Sequence, residues 1–325
     1  MTGEAPAGPR VEAIDQYRGF SLFIMVLGNA FVASGRAPWW LEHPPDVGFR
    51  IPDAFAPFFV MAIGLTFGPS LRRRAAREGS LKAAAHSLTR WGALLLIGLG
   101  ITGVEALLGA NPSGILWGVL EALGAGGLIT LPFLFLPKGP RFAAGLALLA
   151  AYQLLLDAFW LEDVLGAPHG GPWGALGWGG MMVLSTVLGD LFREGERGRR
   201  LYPWASAAVL ALGLSLALAV PVSKARVSMS YVVVVVGLSG LVFFAMYLAT
   251  GRWGKPAEML AAWGQNPLLL YVLHIACLGV YLIPAFARWN REAPLWAVCT
   301  VPIAMAACLS VLALELYRRG RILKL

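Results

Sequence analysis

Charge is what this sequence has least of. Asp, Glu, Lys and Arg make up 14% of its 325 residues, against about 25% in a soluble domain. With 58% hydrophobic residues and a mean hydropathy of +0.68, the deficit excludes an ordinary soluble enzyme and points to a polytopic membrane protein. Cysteine is scarce as well. Cys277, Cys299 and Cys308 fall in or beside apolar runs and lack metal-ligand spacing, so neither a disulfide framework nor a metal site is expected. No interval between apolar runs is long enough for a soluble domain, and no fixed-period repeat is visible, so 1–325 reads as one transmembrane domain. A cleaved signal peptide is not expected, because Glu4, Glu12 and Asp15 precede the first apolar run without a compact basic region.

What remains is a series of apolar runs that predicts an all-α protein of about ten spans: 19–35, 52–71, 90–109, 115–136, 142–161, 173–192, 201–221, 229–250, 263–285 and 295–317. The net charge of +8 is distributed unevenly between them. With the N-terminus inside, 20 of the 26 basic residues fall on the inner side, among them Arg72, Arg73, Arg74, Arg90, Arg193 and Arg318. The other six are Arg36, Arg50, Lys224, Arg226, Arg288 and Arg291. This bias predicts cytoplasmic termini and an outer loop carrying His43, and it reads as topology rather than nucleic-acid binding. The basic stretch 72–89 reads as an amphiphilic inner loop on the anionic leaflet. Trp39, Trp40, Trp173, Trp178, Trp253, Trp289 and Trp296 cluster at span ends as an interfacial belt would. The run Gly170-Gly171-Pro172-Trp173-Gly174 through Gly180 fits either a close helix contact or a re-entrant cavity lining.

Polar residues at membrane depth are the candidates for function, because an unsatisfied polar group is costly there. At ~100° per residue, Asp15, Arg18, Leu22, Met25 and Asn29 form one stripe of the first span. Arg18 to Asn29 rises roughly 16 Å, about half a hydrocarbon core. Glu105, Trp117, Glu121 and Asp157 lie on later spans, and Gln265, Asn266 and His274 share the ninth. Glu105 and Asp157 can reach outer-surface water, which is the plainer account of both. His43 differs because it sits in an outer loop, Trp39-Trp40-Leu-Glu42-His43-Pro44-Pro45-Asp46, stiffened by two prolines. A neutral imidazole there can act as base or nucleophile with Glu42, Asp46 or Asp53 as its orienting carboxylate. The other reading is a solvated loop histidine. His86 and His169 carry no signal of their own.

Four blocks then fall in a recognisable order. Arg10-Val-Glu-Ala-Ile-Asp15-x-x-Arg18-Gly19-Phe leads to Asn29, His43 and Asp53-Ala-Phe-Ala-Pro57-Phe58-Phe59. Trp117-Gly118-Val119-Leu120-Glu121, Lys224-Ala-Arg226-Val-Ser228-Met-Ser230-Tyr231 and Gly264-Gln265-Asn266-Pro…His274 follow. The chain resembles the heparan-alpha-glucosaminide N-acetyltransferase family and its bacterial relatives, which are transmembrane acyltransferases. That resemblance implies acetyl-CoA as co-substrate from the cytoplasmic side and an amino-sugar acceptor on the opposite face. It implies catalytic His43 with Asn29 and Asp53, and acetyl-CoA contacts at Asp15, Arg18, Arg72, Arg73, Arg90 and Trp117. Acceptor contacts are expected at Glu121, Asn266 and His274. The family's fourth-span motif ends Gln-Arg where this chain has Glu121-Ala122, a departure that bears on the substrate. The absence of a large outer N-terminal domain suits a bacterial inner-membrane relative, and a homodimer is compatible with it. Buried polar residues and broken spans also suit a solute transporter, which would show inverted repeats and need no tethered outer histidine.

Overall fold

A computed structural model describes residues 12–109, 117–250 and 255–323, with only the backbone of Lys255 and Pro256. Arg10 and Val11 of the first block, Trp253 of the belt, and Arg252 and Lys324 of the basic count lie outside the described residues. The chain is helical, with no strand among the described residues. The helices are α1 (Glu12–Ala33), α2 (Phe55–Glu78), α3 (Ser80–Leu107), α4 (Val119–Thr130), α5 (Lys138–Leu155) and α6 (Leu161–Leu165). They continue as α7 (Gly171–Phe192), α8 (Gly195–Leu216), α9 (Met229–Ala249), α10 (Lys255–Gln265), α11 (Pro267–Leu278), α12 (Pro284–Glu292) and α13 (Leu295–Arg318). Among the described residues, six helices are long and apolar enough to cross a membrane, and α10–α11, bent by 89°, brings the number to seven if it is one span. Each of the ten apolar runs overlaps a helix. The runs on α1, α4 and α8 miss the length-and-apolarity requirement, α4 through its short length.

The bundle is assembled around α7, which is buried along most of its length. Its glycines permit close approach. A Cβ on Gly189 would stand 2.4 Å from the Gly64 carbonyl of α2, and one on Gly180 2.5 Å from Leu149 of α5. Such small-residue seams replace the hydrophobic drive that lipid-embedded helices lack. A second seam joins α1 to α10, where a Cβ on Gly19 would lie 1.7 Å from the Leu260 carbonyl.

The stretch 72–89 is not a loop. Helix α2 runs to Glu78, and Gly79, at φ +88, turns the chain directly into α3. Helix-favouring Ala75, Ala76, Ala83, Ala84 and Ala85 flank the turn, and glycine alone takes such a backbone cheaply. At the same end, Asp190 accepts from both Arg72 amino groups, at 2.5 and 2.9 Å, and from Arg141 at 2.8 Å. This buried carboxylate ties α2, α5 and α7 together.

Candidate active site

The connection after α1 is built to hold one imidazole. Asn290 donates to the Ser34 carbonyl at 2.7 Å, and Arg36 caps carbonyls at the end of α12. Arg50 folds back onto the loop, donating to the Trp39 carbonyl at 2.9 Å with its guanidinium over the Trp39 ring. Asp53 caps the short 3-10 turn Ile51–Ala54 by accepting from the Arg50 amide at 2.7 Å through Oδ2. That leaves Oδ1 for His43, whose Nδ1 donates to it at 2.5 Å. Asp53 is fully buried, and its carbonyl accepts from the Tyr231 hydroxyl at 2.7 Å.

Of the three carboxylates the loop offers, geometry therefore selects Asp53. Asp46 is engaged by Arg226, with Nε at 2.6 Å, and by Ser223 at 3.0 Å. Arg226 holds the Asp46 carboxyl below its ordinary range. Together with the Gly48 amide on the Val222 carbonyl at 2.8 Å, this pair stitches the His43 loop to the loop after α8. The stitching delivers Lys224 to the imidazole: Nζ donates to His43 Nε2 at 3.2 Å. With Nδ1 protonated toward Asp53, Nε2 is the basic nitrogen. Burial holds the His43 pKa below 6.5, opposed by the Asp53 hydrogen bond and assisted by the Lys224 charge. Burial likewise brings Lys224 from 10.5 to about 8, against the pull of Asp53.

His43 and Lys224 face a cavity of about 610 Å³, within the range of small-molecule sites. Asn29 and Met25 of α1, Glu105 of α3, Glu121 of α4 and Tyr271 of α11 also line it. Glu121 is 1% exposed and accepts from the Thr102 hydroxyl at 2.9 Å. His274 stands behind Asn29. Its Nδ1 donates to the Tyr271 carbonyl at 2.8 Å, so its Nε2 is the acceptor for the Asn29 amide at 3.4 Å. That sequence of bonds fixes which end of the Asn29 amide is NH₂.

The remaining expected site residues are not in the cavity. The stripe opens into it only from Met25 upward. Leu22 is buried at 1%, Arg18 bonds Asp15 and the Gly264 carbonyl at 3.1 Å each, and the Gly19 seam closes that part of α1 against α10. Trp117 is only half-buried, just before α4. Arg73 and Arg90 are exposed, whereas Arg72 is held by Asp190. Asn266, expected on the acceptor, instead pins the C-terminal tail: it donates to the Arg321 carbonyl at 3.0 Å and accepts from the Leu323 amide at 2.8 Å. The sharp bend between α10 and α11 turns its side chain that way. Asn266→Ala is expected to cost about 1–3 kcal/mol of stability and expose the tail to protease, with no change in acceptor KM. Thermal unfolding and limited proteolysis in detergent check this.

Two cavity residues had no assigned role. Lys224 had a signal, as one of the six basic residues that the charge bias leaves off the expected inner side. His169 had none. It lines the cavity at φ +55, followed by Gly170 at +78 and Gly171 at +60, and its Nδ1 is buried without a hydrogen-bond partner. Strain of this sort in a non-glycine residue collects at functional sites. The glycine run also explains itself here. A Cβ on Gly177 would stand 2.7 Å from Val227 and one on Gly170 3.0 Å from it, so the glycines make room for the Lys224–Val227 turn. This is the close-contact reading of the run, with α7 helical from Gly171.

A family model described as heparan-alpha-glucosaminide N-acetyltransferase, catalytic, matches residues 10–216, more than half of the chain. It takes in Asn29 and the His43–Asp53 pair and ends before Lys224, Asn266 and His274. A comparison with curated proteins gives no match. Transmembrane-length apolar helices and the family match agree in making this a membrane transferase, and the chain belongs to the heparan-alpha-glucosaminide N-acetyltransferase catalytic family.

Proposed function

We propose that this protein moves acetyl from cytoplasmic acetyl-CoA to the amine, or a hydroxyl, of an amino sugar at the outer face of a bacterial inner membrane. The observation that carries the reading is a base of defined tautomer, His43 on Asp53, opening onto the same cavity as a membrane-depth amide, Asn29. In the proposed mechanism His43 Nε2 takes the acceptor's proton as its nitrogen attacks the thioester carbonyl. Asn29 donates to the developing oxyanion, held for that task by His274. The acetyl carbon–sulfur bond then breaks, and the thiolate leaves as CoA–SH with the proton. Glu121 and Glu105 give the cavity a carboxylate side suited to an amine-bearing ring. The experiment is release of free thiol from acetyl-CoA by purified protein in detergent. Stimulation by glucosamine, with acetylated sugar as product, is expected; thiol release indifferent to any amine or hydroxyl acceptor contradicts the reading.

The mechanism needs ten spans and cytoplasmic termini, as the basic-residue bias suggests. With Cys277, Cys299 and Cys308 changed to Ser, Ala37→Cys should react with an impermeant reagent in intact cells and Ser80→Cys should not. The opposite pattern inverts the topology and removes the mechanism.

Phosphates of the donor suit the arginines at the α2–α3 end that have no buried carboxylate to serve. Of the three expected there, Arg72 is committed to Asp190, which leaves Arg73 and Arg90. The double variant Arg73→Gln, Arg90→Gln should raise the acetyl-CoA KM about tenfold, as loss of charge-assisted contacts does. Acceptor KM should stay unchanged. An unaltered donor titration makes these arginines topology anchors only.

A further inference from the structure

Nothing in the reaction proposed above requires a lysine, yet one stands where the acceptor must stand. The acceptor nitrogen has to reach His43 Nε2, the only imidazole nitrogen of that pair not already bonded to Asp53. Lys224 Nζ is at that position, 3.2 Å away, inside the cavity that Asn29 also lines. Its placement is firmly built. The turn that carries it is closed by the Val227 amide on the Lys224 carbonyl at 3.0 Å and by the Ser228 amide on the Ser223 carbonyl at 3.1 Å. Val227, at φ +50, is a β-branched residue in a backbone it rarely adopts, seated against Gly170 and Gly177. Arg226 on Asp46 anchors the turn to the His43 loop itself.

We infer that Lys224 is an internal acceptor: when donor is bound and the acceptor site is empty, the protein acetylates its own Lys224 side chain. This rests on the acetyl-transfer reading given above. Lys224 Nζ gives its proton to His43 Nε2 and forms a bond to the acetyl carbon as the carbon–sulfur bond breaks. The thiolate leaves as CoA–SH once the proton passes to it. The product is an amide, which hydrolyses slowly and does not return the acetyl to CoA. An amine titrating near 8 has an appreciable neutral fraction around neutral pH, which an ordinary surface lysine lacks. Acetyl-Lys224 fills the base's side of the cavity and removes a cation from His43, so modification blocks the acceptor site. An acceptor that displaces Lys224 from His43 prevents it.

The sequence supplies its own controls, because Lys82, Lys138, Lys255 and Lys324 are the other lysines and none borders this cavity among the described residues. Purified protein is incubated with acetyl-CoA with and without glucosamine, and peptide mass spectrometry measures acetyl occupancy at each lysine. Expected is one acetyl on Lys224 far above the other four, suppressed by glucosamine. In His43→Ala, Lys224 occupancy should fall about a hundredfold, the scale of losing a general base. Intact mass of Lys224→Arg, which keeps the charge, should show no such adduct. Lys224 left unmodified by a preparation that acetylates glucosamine overturns the inference and leaves the proposed function standing. Equal labelling in His43→Ala overturns it as mere chemical acetylation. If neither lysine nor sugar is acetylated, the functional reading falls and this inference falls with it.

Discussion

His43→Ala is expected to reduce acetyl transfer by at least a hundredfold, the lower end of what a positioned general base contributes. Donor binding should survive, because His43 lies in the loop after α1 and the arginines proposed for the donor lie at the opposite end of α2 and α3. The pH profile separates a base from a bystander. Burial holds His43 below 6.5, and only its neutral form accepts a proton. Wild-type kcat/KM should therefore rise with pH through a limb below 6.5 and then level. The variant should lose that limb. Lys224→Met removes a charge that disfavours the imidazolium, so the limb should move toward higher pH. Asp53→Asn keeps an acceptor for the Arg50 amide but lets the ring adopt the wrong tautomer, and its rate should fall nearly as far as that of His43→Ala. A folded His43→Ala protein with near-normal turnover would reassign the base.

Asn29→Ala should lower kcat about a hundredfold, since one lost donor to an oxyanion in a water-poor site costs on the order of 3 kcal/mol. Both KM values should change little, because the interaction strengthens only in the transition state. His274 acts on the same step from behind. His274→Leu leaves the Asn29 amide free to rotate, so kcat should drop less than in Asn29→Ala, and the double variant should be no slower than Asn29→Ala alone. Additive losses would instead give His274 its own contact with substrate. The rates come from steady-state kinetics in detergent with folding checked by gel filtration.

How far the sequence could be read depended on distance along the chain. Helix positions were legible because apolar runs and their basic flanks are local, and each expected run meets a helix. The exception at 72–89 turned on a single glycine, since basic charge marks the leaflet but not whether the backbone stays helical. His43 and Asp53 are ten residues apart, so their pairing was one of three options the loop allowed. Lys224 meets His43 across 181 positions, and that pairing depends on Asp46, Ser223 and Arg226 folding two loops together. His169 offered still less, because its role comes from a left-handed backbone and a cavity made by six other segments. Asn266, expected on the acceptor from the resemblance, has its amide bonded to the chain's own C-terminal backbone at Arg321 and Leu323, a contact between distant positions that no local pattern announces.

Transfer across the membrane through the His43 cavity requires donor and acceptor to react from opposite sides, which sided vesicles resolve. Proteoliposomes are loaded with glucosamine, washed, and given labelled acetyl-CoA outside only. Molecules with their basic ends outward should deposit labelled acetyl-sugar in the lumen while CoA–SH appears outside, and His43→Ala vesicles should deposit none. Labelled sugar formed only when donor and acceptor share a compartment, or equal lumenal product from His43→Ala vesicles, would contradict the account.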